Sequence, residues 1–426
     1  MILVIDSGTT NTKAFFFDHQ GGFVAGTASP TKTFHLPSGK VEQRSEDWWQ
    51  SAVEAIKKLC LQKHPEIEAI VISSQGGTFV PLDKDWKTLG PGITWLDNRA
   101  ESVAKGLDSK YEKDFFFRKT GHYLKGWCPI AVILWLPKNE PALFSQIRRI
   151  SFVPDYLNQK LTGRFFLDQT AAGMTSFFNI NSGTWDKKLL DLVRMKKEMM
   201  PEIVPAGSIG GKLNREAADL LNLKEGIPVI SGGHDQYCAS LGAGAVKSGD
   251  CLISCGTAWA LLVCTEKPIF KTNSFWSPGR HLKKDYFGLM GAIGDGGVVL
   301  DWLKKNLRFS MDSRLKHAGM TWGVHAGMTA LKVVPYFSQG KGTIRNLSLA
   351  SKPEEIYLAT VKALVDEVND YLEQIRNKLV IKKLFLVGGG AKEPLLADML
   401  SESTKLKVSV PEIHEAAAKG AALLAL

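Results

Sequence analysis

The sequence predicts an α/β protein of two domains. Its 426 residues exceed what one ordinary hydrophobic core takes up. Strand and helix patterns alternate along the chain. A short strand, glycine turn and strand near the N-terminus also return in the second half.

The elements follow in order. Residues 2–5 (Ile-Leu-Val-Ile) read as a buried strand. The polar turn Asp6-Ser7-Gly8-Thr9-Thr10-Asn11-Thr12 leads into a second strand, Lys13-Ala14-Phe15-Phe16-Phe17, so the pair is a hairpin with a polar tip. Residues 45–64 read as a helix with Trp48, Ala52, Ala55, Ile56 and Leu59 as its apolar positions. The strand Ala69-Ile70-Val71-Ile72-Ser73 ends at Gln75-Gly76-Gly77. A later strand, Val229-Ile230-Ser231, runs into Gly232-Gly233-His234-Asp235 and a helix over 236–241. Ser351 with Glu354 is a candidate capping box. It would open a long helix whose stripe is Val361, Leu364, Val365, Val368, Tyr371, Leu372 and Ile375. The strand Leu384-Phe385-Leu386-Val387 meets Gly388-Gly389-Gly390, and residues 415–424 form a last helix.

The internal echo sets the domain plan. Ile5-Asp6-Ser7-Gly8-Thr9-Thr10 resembles Ile253-Ser254-Cys255-Gly256-Thr257-Ala258, and each is followed by an apolar strand. Two copies of one α/β unit would give this pattern. The expected division is 1–240 and 241–426.

Composition narrows the function class. Hydrophobic residues at 44% and charged residues at 23% fit a globular chain without long disorder. The net charge of +10 comes from lysines scattered in pairs such as Lys57-Lys58 and Lys382-Lys383. No basic run and no zinc-finger or basic-zipper spacing is present, so nucleic acid is not the expected partner. The scattered lysines read first as a solvated surface, with attraction of anionic small molecules such as ATP as the competing reading. The six cysteines show no paired metal spacing and read as reduced, buried thiols. The opening apolar run is too short for a secretory signal, and no stretch of about 18 apolar residues exists. A cytoplasmic protein without a membrane partner is expected.

Three constellations carry chemistry. A Gly-Thr turn between strands aims backbone N–H groups and hydroxyls at a phosphate. Asp6 beside the first turn suits hydrated Mg²⁺. An ordinary polar hairpin tip looks the same, but two such turns and the glycine triplet at 388–390 together point to a bound nucleotide. Asp235 follows a strand and two glycines at a helix start. It reads either as a cap or as a general base, and phosphoryl transfer needs little else in covalent terms. Trp95, Asp97 and Arg99 offer an aromatic face and charged groups for a sugar, or a local salt bridge. A P-loop, a dinucleotide fingerprint and paired metal histidines are absent.

These residues resemble the FGGY carbohydrate kinases over nearly the whole chain and in the family's order. Asp6-Ser7-Gly8-Thr9-Thr10 is similar to the family's first phosphate loop and Trp95-Leu96-Asp97-Asn98-Arg99 to its sugar segment. Leu134-Trp135-Leu136 with Asn139-Glu140-Pro141 resembles the first family signature. Asp155-Tyr156-Leu157, Leu161-Thr162-Gly163 and Asp168 resemble the stretch after it. Gly232-Gly233-His234-Asp235-Gln236 resembles the segment of the catalytic aspartate. Cys255-Gly256-Thr257 resembles the second phosphate loop, and Gly388-Gly389-Gly390-Ala391 the adenosine motif. Departures are Val132 for a usual Lys, Asn346-Leu347 and Lys362 in the second signature, and Gln339-Gly340-Lys341-Gly342 after Tyr336.

The resemblance implies two actin-like, ribonuclease-H-like domains with a nucleotide cleft between them, and ATP and Mg²⁺ as cofactors. It implies Asp235 as catalytic base and Asp6 at the metal. Gly8, Thr9, Thr10, Lys13, Gly256, Thr257, Gly388, Gly389, Gly390 and Ala391 fall at ATP. Gln75, Gly76, Trp95, Asp97, Arg99, Asp235 and Gln236 fall at the sugar. The expected reaction is phosphorylation of the terminal hydroxyl of a ketose such as a pentulose. Glycerol or another polyol is the alternative acceptor, and a non-sugar actin-like ATPase is the rival class. Gly76 and Gly77 would widen the pocket, and Gln75 would bond sugar hydroxyls. A homodimer is left open.

Overall fold

The computed structural model describes residues 1–63, 65–270, 275–307, 330–337, 340–393 and 395–426. They form two compact units. The first comprises Met1–Gly242, Pro278–Phe287 and His414–Leu426, and the second Ala243–Ser277 and Gly288–Ile413.

The first unit is built on a six-stranded mixed sheet. Its strands are β1 (Ile2–Ser7), β2 (Asn11–Phe17), β3 (Phe23–Pro30), β4 (Ala69–Ser74), β5 (Ile209–Lys212) and β6 (Pro228–His234), in the order β5-β6-β4-β1-β2-β3. β1 and β2 make the antiparallel hairpin, with Asp6 opposite Lys13. β1 and β6 both run parallel to β4, so their C-terminal ends lie at one edge. β1 and β4 are buried on both faces, which explains their unbroken Ile/Val/Leu runs. One face is covered by α1 (Ser45–Gln62) and α2 (Val153–Thr162). Trp48, Ala52, Ala55, Ile56 and Leu59 of α1 are fully buried there, with Leu157 and Leu161 of α2. Helix α1 ends at Gln62; His64, in the sequence expectation, lies outside the described residues. On the other face lie α3 (Asp235–Ala243) and α7 (Ala416–Leu423).

The second unit repeats this plan. β7 (Asp250–Cys255), β8 (Trp259–Thr265), β9 (Phe287–Ile293), β10 (Lys383–Val387) and β11 (Lys407–Ser409) pair in the order β9-β8-β7-β10-β11. β7 and β8 are again an antiparallel hairpin, and β10 lies parallel to β7 as β4 does to β1. Helices α4 (Gly297–Leu307), α5 (Pro353–Arg376) and α6 (Leu396–Thr404) belong to this unit. Val361, Leu364, Val365, Val368, Leu372 and Ile375 form the buried stripe of α5.

The expected capping box of α5 does not form, and the cap falls one residue later. Pro353 occupies the first turn, and its fixed φ suits that place. Lys352 is therefore the cap residue, and its N–H donates to the Glu355 carboxylate at 3.0 Å. Ser351 instead accepts the Ser348 N–H at 3.0 Å. Gln339 lies outside the described residues.

Candidate active site

The parallel strands of the first unit deliver carboxylates to one edge. Asp6 is next to last in β1, and its register partner on β4 is Ser73. The Ser73 hydroxyl donates to Asp6 Oδ1 at 2.8 Å. His234 ends β6 opposite Ser74, and Asp235 is the first residue of α3. The carboxyl ends of parallel strands are where α/β sheets bind ligands. Burial pushes the Asp6 carboxyl up to about 6; the Ser73 hydrogen bond opposes this and the charge of Asp235 adds to it. Two acids thus share one field.

His234 does not neutralise Asp235. Their nearest atoms, Nδ1 and Oδ1, are 3.3 Å apart, but burial lowers the pKa of His234. Its Nδ1 also lies 3.3 Å from the Gln236 N–H, which it accepts. The imidazole is therefore neutral, with its proton on Nε2. The Asp235 side chain is 29% exposed and reaches solvent. Gln236 Oε1 is buried and has no hydrogen-bond partner.

The first Gly-Thr turn is tied to the sugar segment. Gly8 N–H closes the turn on the Asn11 carbonyl at 3.0 Å, leaving Thr9 and Thr10 at the tip. Thr10 is exposed. The Thr9 hydroxyl donates to Gln75 Oε1 at 3.1 Å and accepts the Trp95 indole N–H at 3.1 Å. Lys13 Nζ is engaged by Glu415 at 2.9 Å.

The sugar-segment residues divide into an exposed face and a buried frame. Trp95 is 39% exposed. Asp97 is buried, accepts the Val41 N–H at 2.7 Å and is gripped by Arg99 at 2.8–3.1 Å. Arg99 also reaches Glu42 at 2.6 Å, and its side chain is only 3% exposed. These charges satisfy one another and fix the loop. Gln75 is likewise spent: Oε1 accepts from Thr9 and Thr78, and Nε2 donates to the Gly8 carbonyl and Gln43.

The glycines do not widen the pocket. A Cβ on Gly76 would stand 2.6 Å from both His234 Cδ2 and Met174 Cγ. One on Gly77 would stand 3.0 Å from the Trp127 ring. Neighbouring side chains have filled the space that the glycines vacate. Trp127, Met174 and Gln43 escaped the sequence reading because each looks like a core or solvent-facing residue in its own segment.

In the second unit two glycine segments converge on the Gly256-Thr257 turn. Gly388, at φ +88°, would place a Cβ 3.0 Å from the Cys255 carbonyl, and Gly390 would do the same. The short 3₁₀ turn Gly389–Lys392, which holds Ala391, continues from there. Gly297 N–H donates to the Gly256 carbonyl at 3.1 Å and Val298 N–H to that of Thr257 at 2.9 Å. Gly296-Gly297 was missed in the sequence; the signal was Gly-Asp-Gly-Gly directly after a strand.

Comparison with known proteins decides the family. The model of the N-terminal domain of the FGGY family of carbohydrate kinases matches residues 1–242, and that of the C-terminal domain matches 251–426. The chain belongs to the FGGY family of carbohydrate kinases. This FGGY kinase is 23% identical to a gluconokinase of Bacillus licheniformis over 451 residues, covering 100% of this chain and 87% of the relative. It is 27% identical to an L-fuculokinase of Haemophilus influenzae over 443 residues, covering 99% and 93%. The structure of a ligand-bound xylulose kinase from Lactobacillus acidophilus superposes with a TM-score of 0.90 at 23% identity, covering 100% of this chain and 89% of that one. The FGGY kinase thus has the actin-like two-domain α/β fold. It is a sugar or polyol kinase, and ATP is its family's phosphoryl donor. No helix among the described residues is long and apolar enough to cross a membrane.

Proposed function

We propose that the protein transfers the γ-phosphoryl group of MgATP to the terminal hydroxyl of a small ketose, a pentulose before others, with Asp235 as general base. One observation carries this reading. Asp235 stands at a helix start, partly open to solvent, beside a neutral histidine and the buried, unpartnered oxygen of Gln236. A buried acceptor without a donor is costly. A sugar hydroxyl donating to Gln236 Oε1 satisfies it, and the reacting hydroxyl beside it gives its proton to Asp235. The exposed face of Trp95 takes the carbon chain, with Gly76 at the floor. Gln75, Asp97 and Arg99 hold that wall in place.

Asp6 fits a Mg²⁺ ion. Among the described residues no group of three or more ligand side chains surrounds it. Mg²⁺ in phosphoryl-transfer sites is held by one or two carboxylates, water and the nucleotide's phosphates, so a single aspartate suffices. A carboxyl held at about 6 by burial and a second acid is one that a cation would stabilise. When bound, the ion neutralises charge on the phosphate oxygens. Thr10 with Gly8, and Gly256-Thr257 with Gly388 to Ala391, are the proposed nucleotide contacts; Lys13 contributes charge from its pair with Glu415.

The test is Asp235→Asn, with kcat/KM measured for D-xylulose, D- and L-ribulose, L-fuculose, D-gluconate and glycerol. The variant should lose about 10²–10⁴-fold in kcat with ATP affinity kept. Retained turnover would reduce Asp235 to a helix cap. A clear preference for gluconate or glycerol would replace the ketose and leave the kinase standing.

A further inference from the structure

Gln43 is fully buried, and its amide has a partner for every hydrogen-bonding position. Nε2 donates to the Thr9 carbonyl at 2.7 Å and to the Thr33 hydroxyl at 3.0 Å. Oε1 accepts the Trp48 indole N–H at 2.9 Å and Gln75 Nε2 at 3.2 Å. Gln75 is saturated in the same way and bonds the Thr9 hydroxyl, which also receives the Trp95 indole N–H. Two buried amides thus hold the Gly8–Thr10 turn at its Gly8 and Thr9 carbonyls and its Thr9 hydroxyl, and that hydroxyl in turn holds the Trp95 wall by accepting its indole N–H. Trp48, deep in the α1 core, anchors the assembly.

A fully satisfied polar network in a buried place has one arrangement, and partial rupture leaves costly orphans. A sugar that presses on Trp95 therefore fixes the position of Thr9. Phosphates on the turn likewise fix Trp95. A mere fold-stabilising role for Gln43 would need only its bond to Trp48.

We infer that Gln43 is a positioning residue that ties the first phosphate turn to the sugar wall, so that sugar and nucleotide bind with positive linkage. The inference rests on the function proposed above. Linkage is reciprocal, and typical coupling is roughly 5–150-fold. The experiment titrates the non-hydrolysable analogue AMP-PNP into the full-length protein by calorimetry, with and without saturating D-xylulose. Wild type, Gln43→Met and Leu59→Ala are compared. Methionine keeps the length of glutamine and removes the four bonds. Leu59→Ala weakens the α1 core without removing a bond of the tie. In wild type, D-xylulose should tighten AMP-PNP by ~10-fold. In Gln43→Met the gain should fall below about twofold, whereas Leu59→Ala should melt earlier with coupling intact. Undiminished coupling in Gln43→Met, or none in wild type that turns D-xylulose over, overturns the inference. If wild type releases no ADP with D-xylulose, the substrate reading fails separately. The tie is then judged from AMP-PNP alone. Its affinity must drop at least ~5-fold in Gln43→Met and hold in Leu59→Ala, and equal affinities in the two variants overturn it.

Discussion

Burial holds the Asp6 carboxyl up at about 6, with the charge of Asp235 adding to it, so the folded state binds that proton more tightly than the unfolded chain. The sign of the consequence is fixed by linkage. Between the ordinary aspartate value near 3.8 and about 6 the native protein holds more protons than the unfolded one. Stability therefore falls as pH rises through that window, and the penalty is complete above it. Asp6→Asn should remove the penalty. Without divalent metal at pH 8 it should be more stable than wild type by roughly 1–3 kcal/mol, a range discounted for the solvent that reaches the group. The gain should vanish near pH 4. Denaturant titrations at both pH values in EDTA check this, and a gain independent of pH would mean that charge is not its cause. The same variant should lose turnover and need more Mg²⁺, which separates what Asp6 does for the fold from what it is proposed to do for the reaction.

Helices α3 and α7 approach so closely that each contributes a glycine to the contact. A Cβ on Gly420 would lie 1.7 Å from the Cys238 carbonyl, and one on Gly242 would lie 2.0 Å from that of Ala416. Helix α3 begins with Asp235, so its position is set partly from this contact. Gly420→Ala should cost about 1–3 kcal/mol through overpacking. Because relief requires α3 to shift, kcat should fall with it. An unchanged kcat beside a lowered Tm would show that α3 is positioned from elsewhere. How much of this was legible in the sequence differs by kind of feature. The hairpins, the long stripe of α5 and the two Gly-Thr turns were plain, because period and turn chemistry are written locally. The cap of α5 slipped by one residue because a serine looks like a better cap than the lysine that Pro353 dictates. Gln75 was read as facing the sugar, but a sequence does not say whether an amide points outward or is spent in a wall. Gln43 gave no signal, since its partners Thr9, Thr33, Trp48 and Gln75 come from four separate segments. The glycines at 76 and 77 suggested open space because their filling by His234, Met174 and Trp127 is a tertiary fact.

The first unit is discontinuous in sequence, and its last piece matters out of proportion to its length. Ala418, Ala421 and Ala422 of α7 are fully buried, the helix packs on β1, β2 and β4, and Glu415 holds Lys13 opposite Asp6. Removing residues 414–426 should lower the Tm by roughly 10 °C and expose the edge of the sheet that carries Asp6 to proteolysis. Limited digestion of the shortened chain, followed by mass mapping, is the check; protection of 1–74 equal to that of the full chain would show that α7 is dispensable. Synthesis proceeds from the N-terminal side, so every residue of the second unit leaves the ribosome before α7 does. The strand bearing Asp6 is thus made before the second unit, and α7 covers it only after that unit is complete. Throughout the synthesis of the second unit, that surface of the nascent enzyme waits without the helix that will cover it.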